Sequence, residues 1–244
     1  MDTANTLKQA KGLLRSYTLS ESSLQILKKA PLTLLAAPTS SGRNSIIKKL
    51  LETDKYHFVV SDTTRKPRVN NGIPEQNGVE YWFRSHQEVV EDLRSGKYLE
   101  AAIVHETDIY GISIRELKKA LDSKKIPITD IEIVGVDSVL KLKPDTTAVF
   151  VVPPHFEEWH DRLEKRGEMS RDELERRMRS AAEELKHALE NESSYHFLVN
   201  DSLEHAVEQM HQIVFEDNHD PLHQSTAKRT IEQLLVDTEK FLNS

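Results

Sequence analysis

Cysteine is absent from the 244 residues, which excludes disulfide bonds, thiolate metal sites and a cysteine nucleophile. This absence is compatible with a reducing cytoplasm, which is the location that we expect. No apolar run approaches the roughly 20 residues that a membrane helix needs. The first ten residues also lack the apolar region of a secretory signal. We therefore expect neither a membrane protein nor a secreted one.

An excess of positive charge is also missing. The chain has 33 basic and 40 acidic residues, and its net charge is −7. Nucleic-acid-binding proteins usually carry a basic field, so we expect no nucleic acid among the partners. Apolar residues make up 37% of the chain and charged residues 30%, which is enough apolar material for a buried core. The length suits one domain, or one domain with appendages.

Five short apolar runs predict buried strands, and helical patterns lie between several of them. The runs are LTLLAA at 32–37, HFVVS at 57–61, PITDIEIV at 127–134, TAVFVV at 147–152 and YHFLVN at 195–200. Widely spaced apolar strands with helices between them indicate a parallel sheet that helices cover on both faces. The predicted fold class is therefore α/β.

The remaining segments suggest a domain plan with three parts. We predict a helical N-terminal extension at 1–30, a main domain at 31–216, and a linker with a C-terminal helix at 217–244. In the extension, Ser20 or Ser22 is the expected N-cap of the second helix. Residues 61–115 are polar and aromatic, which indicates a smaller subdomain inserted into the sheet.

The strand–turn–helix unit at 37–45 has the placement of a phosphate loop without its usual residues. A Walker A loop reads G-x-x-x-x-G-K-[ST], and the run from Ala37 to Asn44 keeps only Gly42 among those four defining positions. Backbone N–H groups and the helix dipole at such a helix start attract an anion. Arg43 keeps a positive charge, and Asn44 or Ser45 could bind Mg²⁺. The alternative is an ordinary capped strand-to-helix turn.

Two groups of arginines could bind phosphate. Arg65 and Arg68 are three residues apart around a proline, and arginine forks suit phosphate oxygens. Arg162 and Arg166 are four residues apart, so one helix would present both on the same face. The alternatives are a basic surface turn for the first group and a salt-bridged surface helix for the second.

The run from Ser61 to Arg68 resembles the GMP-binding signature S-x-T-T-R-x-P-R of guanylate kinases. Other pieces of the family pattern follow in order over roughly residues 32–215. They are AAPTSSGRNS at 36–45, Tyr81 after NGVE, GKYLE at 96–100, Tyr110-Gly111, DIE at 130–132, VPP at 152–154, RLEKRG at 162–167, ERRM at 175–178 and VND at 199–201.

The resemblance implies a P-loop NTPase-type sheet with an inserted GMP-binding subdomain at about 61–115 and a helical lid at about 162–178. It implies phosphoryl transfer from ATP to GMP, with Mg²⁺ brought by ATP. The implied ATP-binding residues are Pro38, Thr39, Ser40, Ser41, Gly42, Arg43, Asn44, Ser45 and Asn200. The implied GMP-binding residues are Ser61, Arg65, Arg68, Tyr81, Glu100, Tyr110, Ser113 and Glu132. The implied catalytic residues are Arg43, Arg162, Arg166 and Arg177.

Within this set, Glu100 and Glu132 would accept hydrogen bonds from guanine, and adenine would leave them unmatched. Ile112 stands where the family has Ser or Thr, so either Ser113 takes over that contact with the base or the contact is lost. The expected partners are ATP and GMP, in a monomer or a homodimer. The alternative function is a catalytically impaired module of the same family that binds guanine nucleotide or a protein. The arginines and base carboxylates that it keeps favour the enzyme.

Overall fold

The structure is a computed structural model that describes residues 3–70, 72–165, 169–216 and 220–243. The strands are β1 (Thr33–Ala36), β2 (Tyr56–Phe58), β3 (Asp62–Thr63), β4 (Val69–Asn70), β5 (Ile73–Pro74), β6 (Trp82–Phe83), β7 (Tyr98–Val104), β8 (Asp108–Ser113), β9 (Ile126–Asp130), β10 (Thr147–Val152) and β11 (His196–Val199). The α-helices are α1 (Thr3–Leu14), α2 (Glu21–Lys29), α3 (Arg43–Leu51), α4 (His86–Arg94), α5 (Ile114–Asp122), α6 (Ile133–Leu142), α7 (Phe156–Glu164), α8 (Arg171–Glu190), α9 (Leu203–Glu216) and α10 (Pro221–Leu242).

The chain forms two compact units. The first unit combines Met1–Leu32 with Tyr56–Pro127, and the second combines Thr33–Lys55 with Ile128–Ser244. The predicted subdomain at 61–115 therefore lies inside a larger unit that also contains the N-terminal helices. Among the described residues, no helix has both the length and the apolar character needed to cross a lipid bilayer.

The second unit contains parallel strands in the order β11-β10-β1-β9. Strand β10 is buried along almost its whole length, which explains why its sequence is a continuous apolar run instead of an alternating one. Helices α3, α6, α8, α9 and α10 are packed around these strands and on one another. The predicted α/β class with a parallel sheet is confirmed.

One predicted strand extends too far. The run at 127–134 was expected to be strand throughout, but β9 ends at Asp130 and α6 begins at Ile133. On α6, Val136 and Val139 are buried, and their spacing of three residues suits one helix face. A run of β-branched residues thus forms a helix because tertiary packing outweighs local propensity.

The C-terminal helix α10 packs against α7, α8 and β11. It begins at Pro221, because Asp220 caps it by accepting the backbone N–H of Leu222 at 3.0 Å and Pro221 suits its first turn. Pro suits this position because its missing N–H has no partner there in any helix. The buried residues Ala227, Ile231 and Leu234 form its inward face.

The first unit is built on an antiparallel hairpin of β7 and β8, with β3 and β6 continuing the sheet beside β8. Ala10 of α1 is buried against Val89 and Leu93 of α4. The Tyr17 hydroxyl donates to the carbonyl of Tyr98 at 2.8 Å and accepts the N–H of Tyr98 at 2.6 Å. The N-terminal extension is thus part of the core of this unit.

The cap of α2 gives the first prediction. The Ser20 hydroxyl accepts the Ser23 N–H at 3.2 Å, whereas Ser22 is exposed and its hydroxyl contacts only the Ser20 hydroxyl among the described hydrogen bonds. We expect Ser20→Ala to lower the free energy of unfolding by about 1 kcal/mol and Ser22→Ala to leave it nearly unchanged. Urea unfolding measures both variants, and equal losses would show that Ser20 is not the cap.

Candidate functional site

The turn between β1 and α3 has the backbone of an anion-binding loop. Gly42 is the N-cap of α3 with φ +92°, and Ser40 also has a positive φ, +65°. Successive backbone N–H groups in such a turn form a concave nest for anions. The N-terminus of α3 adds the positive end of its dipole.

Side chains from outside the loop hold two of its carbonyl groups. The Trp159 indole N–H donates to the carbonyl of Thr39 at 2.8 Å, and the Asn200 amide donates to the carbonyl of Ser41 at 2.8 Å. Asn200 is itself fixed, because its backbone N–H donates to Val152 at 2.8 Å. Protein side chains therefore help to fix the conformation of the loop.

Gly42 is required by this arrangement for two reasons. Its φ lies in the left-handed region, where a residue with a Cβ is strained. A Cβ at this position would also lie 2.0 Å from the Asn200 Nδ2 atom and 3.8 Å from a terminal nitrogen of Arg162. The glycine therefore allows Asn200 and Arg162 to approach the loop closely.

The loop forms one wall of a cleft of about 820 Å³ in the second unit. This cleft is lined by all nine predicted ATP-binding residues, together with Glu132 and Arg162. The hydroxyls of Ser40 and Ser41 are buried and have no hydrogen-bond partner within the described part of the chain. Unsatisfied buried donors are costly, so this lining suits a ligand rich in acceptor oxygens.

Arg43 lies in the cleft, but its guanidinium is engaged by the protein. It donates to the Asp130 carboxylate at 3.0 Å and to the carbonyl of Ile131 at 3.5 Å. Asp130 stands at the end of β9, directly beside β1. The positive charge at this position is therefore partly neutralised by the protein itself.

An acidic group also lines the cleft. Glu184 of α8 accepts from the Ser180 hydroxyl at 3.4 Å and lines the cleft beside Glu183. Burial raises the pKa of Glu184 to about 7, the charge of Arg43 lowers it, and the charge of Glu132 raises it. A carboxyl group that titrates near neutral pH is typical of a functional cleft.

This shift predicts a pH dependence of stability. The pKa of Glu184 is higher in the folded protein than in the unfolded chain. The contribution of this group to the free energy of unfolding is therefore fully present below about pH 4.5 and is lost as the pH rises through about 7. Glu184→Gln removes this loss. We expect its advantage in unfolding free energy over wild type to grow by about 2 kcal/mol between pH 5 and pH 8, measured by urea unfolding. A difference independent of pH would contradict the raised pKa.

The predicted catalytic arginines have different environments. Arg162 on α7 lines the cleft, forms an ion pair with Glu158 and donates to the Asn200 carbonyl at 3.2 Å. Arg177 on α8 donates to Glu173 at 2.7 Å and is not among the residues that line the cleft. Helix α7 ends at Glu164, and Arg166 lies outside the described residues.

Two of the predicted acceptor residues of the first unit, Tyr81 and Tyr110, contact Arg65. Its Nε–H donates to the Tyr110 hydroxyl at 3.0 Å, and its guanidinium carbon lies 5.2 Å from the centre of the Tyr81 ring. The two tyrosine rings meet edge to face at 5.6 Å. Glu100 pairs with Ile112 across the hairpin, two residues along from the pair of Ala102 with Tyr110, so both pairs lie on one face. Directly paired residues share a face of the sheet.

Glu75 holds this arginine. Its carboxylate accepts hydrogen bonds from both terminal nitrogens of Arg65, at 2.7 and 3.0 Å, and from the backbone N–H of Arg68 at 2.7 Å. Both side chains are nearly buried, at 10% and 8% exposure. The ion pair lowers the pKa of Glu75 to about 2. The sequence carried no signal for this bidentate pair, because the residues lie ten positions apart across a hairpin.

The remaining predicted GMP contacts are scattered. Ser61 lies just before β3, and the Arg68 side chain is exposed. Glu132 belongs to the second unit and lines the phosphate-loop cleft. Ser113 is buried, and its hydroxyl accepts the Arg115 N–H at 3.2 Å as the N-cap of α5.

Asp62 is a structural residue that the sequence did not single out. It is buried and accepts from Arg84 at 3.1 Å, from Arg115 at 2.7 Å and from the Tyr98 hydroxyl at 2.7 Å. Three donors around one carboxylate compensate its burial. Asp62 therefore fixes β3, which leads into the loop that carries Arg65.

A parallel sheet whose first strand leads through an anion-binding turn into a helix, beside a cleft large enough for a nucleotide, defines a phosphate-loop nucleotide-binding protein. The family model for guanylate kinase matches residues 29–217. The chain belongs to the guanylate kinase family, and the family predicted from the sequence is confirmed.

Three comparisons describe the relationship. The chain is 34% identical over 186 residues to the guanylate kinase of Hahella chejuensis, covering 75% of this chain and 85% of that one. It is 33% identical over 198 residues to guanylate kinase 1 of Oryza sativa, covering 80% of this chain but only 50% of the rice protein. The crystal structure of guanylate kinase from Anaplasma phagocytophilum matches with a TM-score of 0.55 and 21% identity, over 90% of this chain and 96% of that chain. This last comparison shows the fold.

Proposed function

We propose that this protein transfers the terminal phosphoryl group of ATP to GMP, giving ADP and GDP. The observation that carries the proposal is the cleft in which the phosphate loop, Asn200 and Arg162 converge. Relatives named guanylate kinase that are 33–37% identical over most of this chain support it.

In this proposal the loop binds the phosphates of ATP through its backbone and its serine hydroxyls. Phosphoryl transfer needs positioning and positive charge more than covalent chemistry. Arg162 lies next to Gly42 and supplies such a charge at the loop. Arg177 is assigned the same role from the resemblance, and its ion pair with Glu173 would open for it.

The residues at the start of α3 fit Mg²⁺ bound with ATP. Asn44 and Ser45 are exposed in the first turn of the helix and line the cleft, where each offers a side-chain oxygen. Oxygen ligands of this kind suit Mg²⁺, which usually keeps several waters and binds to substrate phosphates. The ion, when bound with ATP, would neutralise charge on the transferred group. Asn44 and Ser45 would hold it beside the loop.

The acceptor site is assigned to the first unit. Arg65, already oriented by Glu75 and Tyr110, would bind the phosphate of GMP with Tyr81 and Arg68. Glu100 would accept hydrogen bonds from the guanine edge, which presents donors that adenine lacks. Ile112 shares the sheet face of Glu100, so the apolar side chain replaces a hydroxyl contact that the family pattern provides.

A second candidate is a module that binds guanine nucleotide without turning it over. The Arg43 ion pair with Asp130 favours it, because a guanidinium held at 3.0 Å by a carboxylate is a poor substitute for a lysine that reaches the outer phosphates. In this case the acceptor residues would retain their role while the ATP cleft would not support transfer.

The test is ADP formation from magnesium–ATP with GMP, AMP, CMP or UMP as acceptor. We expect turnover with GMP in the usual kinase range of about 1–100 per second and much less with the other acceptors. Arg162→Ala should remove most of this rate. Arg179→Ala, an arginine of α8 that pairs with Glu175 at 3.2 Å outside the cleft, should not.

The outcomes separate the two candidates. GMP-dependent turnover that Arg162→Ala abolishes supports the kinase. Binding of GMP by calorimetry without turnover would overturn the kinase and support the binding module. A folded protein that neither binds GMP nor forms ADP from ATP in its presence would overturn both.

A further inference from the structure

We infer that the second unit contains a zinc site between α9 and α10, formed by His205, Gln209 and His223. These side chains line a separate cavity of about 260 Å³. The family model ends at residue 217, so one proposed ligand and the helix that carries it lie beyond the matched segment.

Two imidazole nitrogens converge on one point in this cavity. The Gln209 amide nitrogen lies 3.0 Å from His205 Nε2 and 3.3 Å from His223 Nδ1. A single amide group thus bridges two histidines that come from different helices. Imidazole nitrogens and an amide oxygen are ligands that suit Zn²⁺ or a similar borderline cation.

The cluster is also incompletely satisfied. Gln209 is only 7% exposed, and its Oε1 atom has no hydrogen-bond partner among the described residues. The same holds for His223 Nε2 within those residues. A buried acceptor without a partner costs free energy. Rotation of the amide by half a turn would bring Oε1 to the point between the two imidazoles, where a cation would use it.

His205 has the outer-shell partner that metal-binding histidines usually have. Its Nδ1 atom lies 3.0 and 3.1 Å from the two carboxylate oxygens of Asp201. A carboxylate in this position fixes the tautomer so that Nε2 presents its lone pair to a metal. Glu208 and Asp220 line the same cavity and add negative charge around it.

The proposed site is joined to the nucleotide cleft through one residue. Asp201 lines that cleft and follows Asn200, which holds the phosphate loop through Ser41. Zinc at His205 would hold the Asp201 carboxylate in its present position. This connection is local and needs no change of fold.

The experiment is calorimetric titration of the metal-free full chain with Zn²⁺, with Mg²⁺ and Ca²⁺ titrated separately. We expect one tight site for Zn²⁺ and none of similar affinity for the other two ions. His205→Ala and His223→Ala should each weaken Zn²⁺ binding at least tenfold. The control is His160→Ala. His160, Asp161 and Glu164 form another group that could hold a metal ion, because their ligand atoms lie within 4.8 Å of one another, and zinc binding at the proposed site should not depend on it.

X-ray absorption spectroscopy at the zinc edge, measured on the wild-type protein, tests the proposal even if a variant fails to fold. Two imidazoles in the coordination shell are expected. No tight Zn²⁺ binding, binding unaffected by both substitutions, or binding lost in His160→Ala would each overturn the proposal. A shell with no imidazole would overturn it as well.

Discussion

Arg65→Ala is expected to lower kcat/KM for GMP by about 100- to 1,000-fold, with little change in the KM for ATP. Four of the five guanidinium N–H groups of Arg65 are already fixed by Glu75, Tyr110 and the Lys66 carbonyl. Within the described part of the chain the fifth N–H has no acceptor, so it can donate to a phosphate oxygen without reorganisation, and Arg65→Ala removes this positioned donor. Steady-state kinetics with GMP varied at saturating ATP measures the effect.

The matched control is Lys66→Ala, an exposed cation next to Arg65 in the same loop. It should leave kcat/KM for GMP within about twofold of wild type. Arg65→Ala also leaves the nearly buried Glu75 without its partner, which can destabilise the unit. The double variant with Glu75→Gln removes that charge, and it should be more stable than Arg65→Ala but equally inactive. An unchanged kcat/KM in a folded Arg65→Ala variant would contradict the acceptor site.

Gly42→Ala is expected to weaken ATP binding by about 100-fold, since displacements near 1 Å in a binding loop can have effects of this size. The added Cβ would lie 2.0 Å from Asn200 Nδ2. Asn200 must then leave the carbonyl of Ser41, and the loop loses one of its two side-chain supports. The KM for ATP, or calorimetry with a non-hydrolysable ATP analogue, measures the loss.

Gly72→Ala is the control that separates the effect of backbone strain from the effect of the steric clash with Asn200. Gly72 also has a positive φ, +80°, but a Cβ there would meet nothing within 4 Å. It should cost about 1–2 kcal/mol of stability and leave ATP affinity unchanged. If Gly42→Ala binds ATP as tightly as wild type does, the loop is not the ATP site.

Much of the fold was visible in the sequence, because buried parallel strands need continuous apolar runs. The run at 147–152 matches β10 residue for residue. The segment after Asp130 was misassigned because β-branched residues suit both a buried strand and a packed helix face. The grouping of the N-terminal helices with residues 56–127 could not be predicted, since contacts between distant segments leave no local pattern.

The sequence motifs predicted which residues line the candidate site, but they did not predict the ion pairs that its arginines form within the protein. All nine predicted ATP-binding residues line one cleft. The pairing of Arg43 with Asp130 and of Arg65 with Glu75 decides how these arginines are held, and each pair joins residues far apart or across a hairpin. The cytoplasmic location and the monomeric or homodimeric state stay predictions of the sequence.

The packing of the N-terminal helices has a consequence for the newly made chain. Tyr17 leaves the ribosome 81 residues before Tyr98. Its hydroxyl hydrogen-bonds both the carbonyl and the N–H of Tyr98. At about 5–20 residues per second, the apolar face of α1 waits roughly 4–16 s for its partners. During synthesis this face is therefore exposed until α4 and the start of β7, against which it packs, have been made.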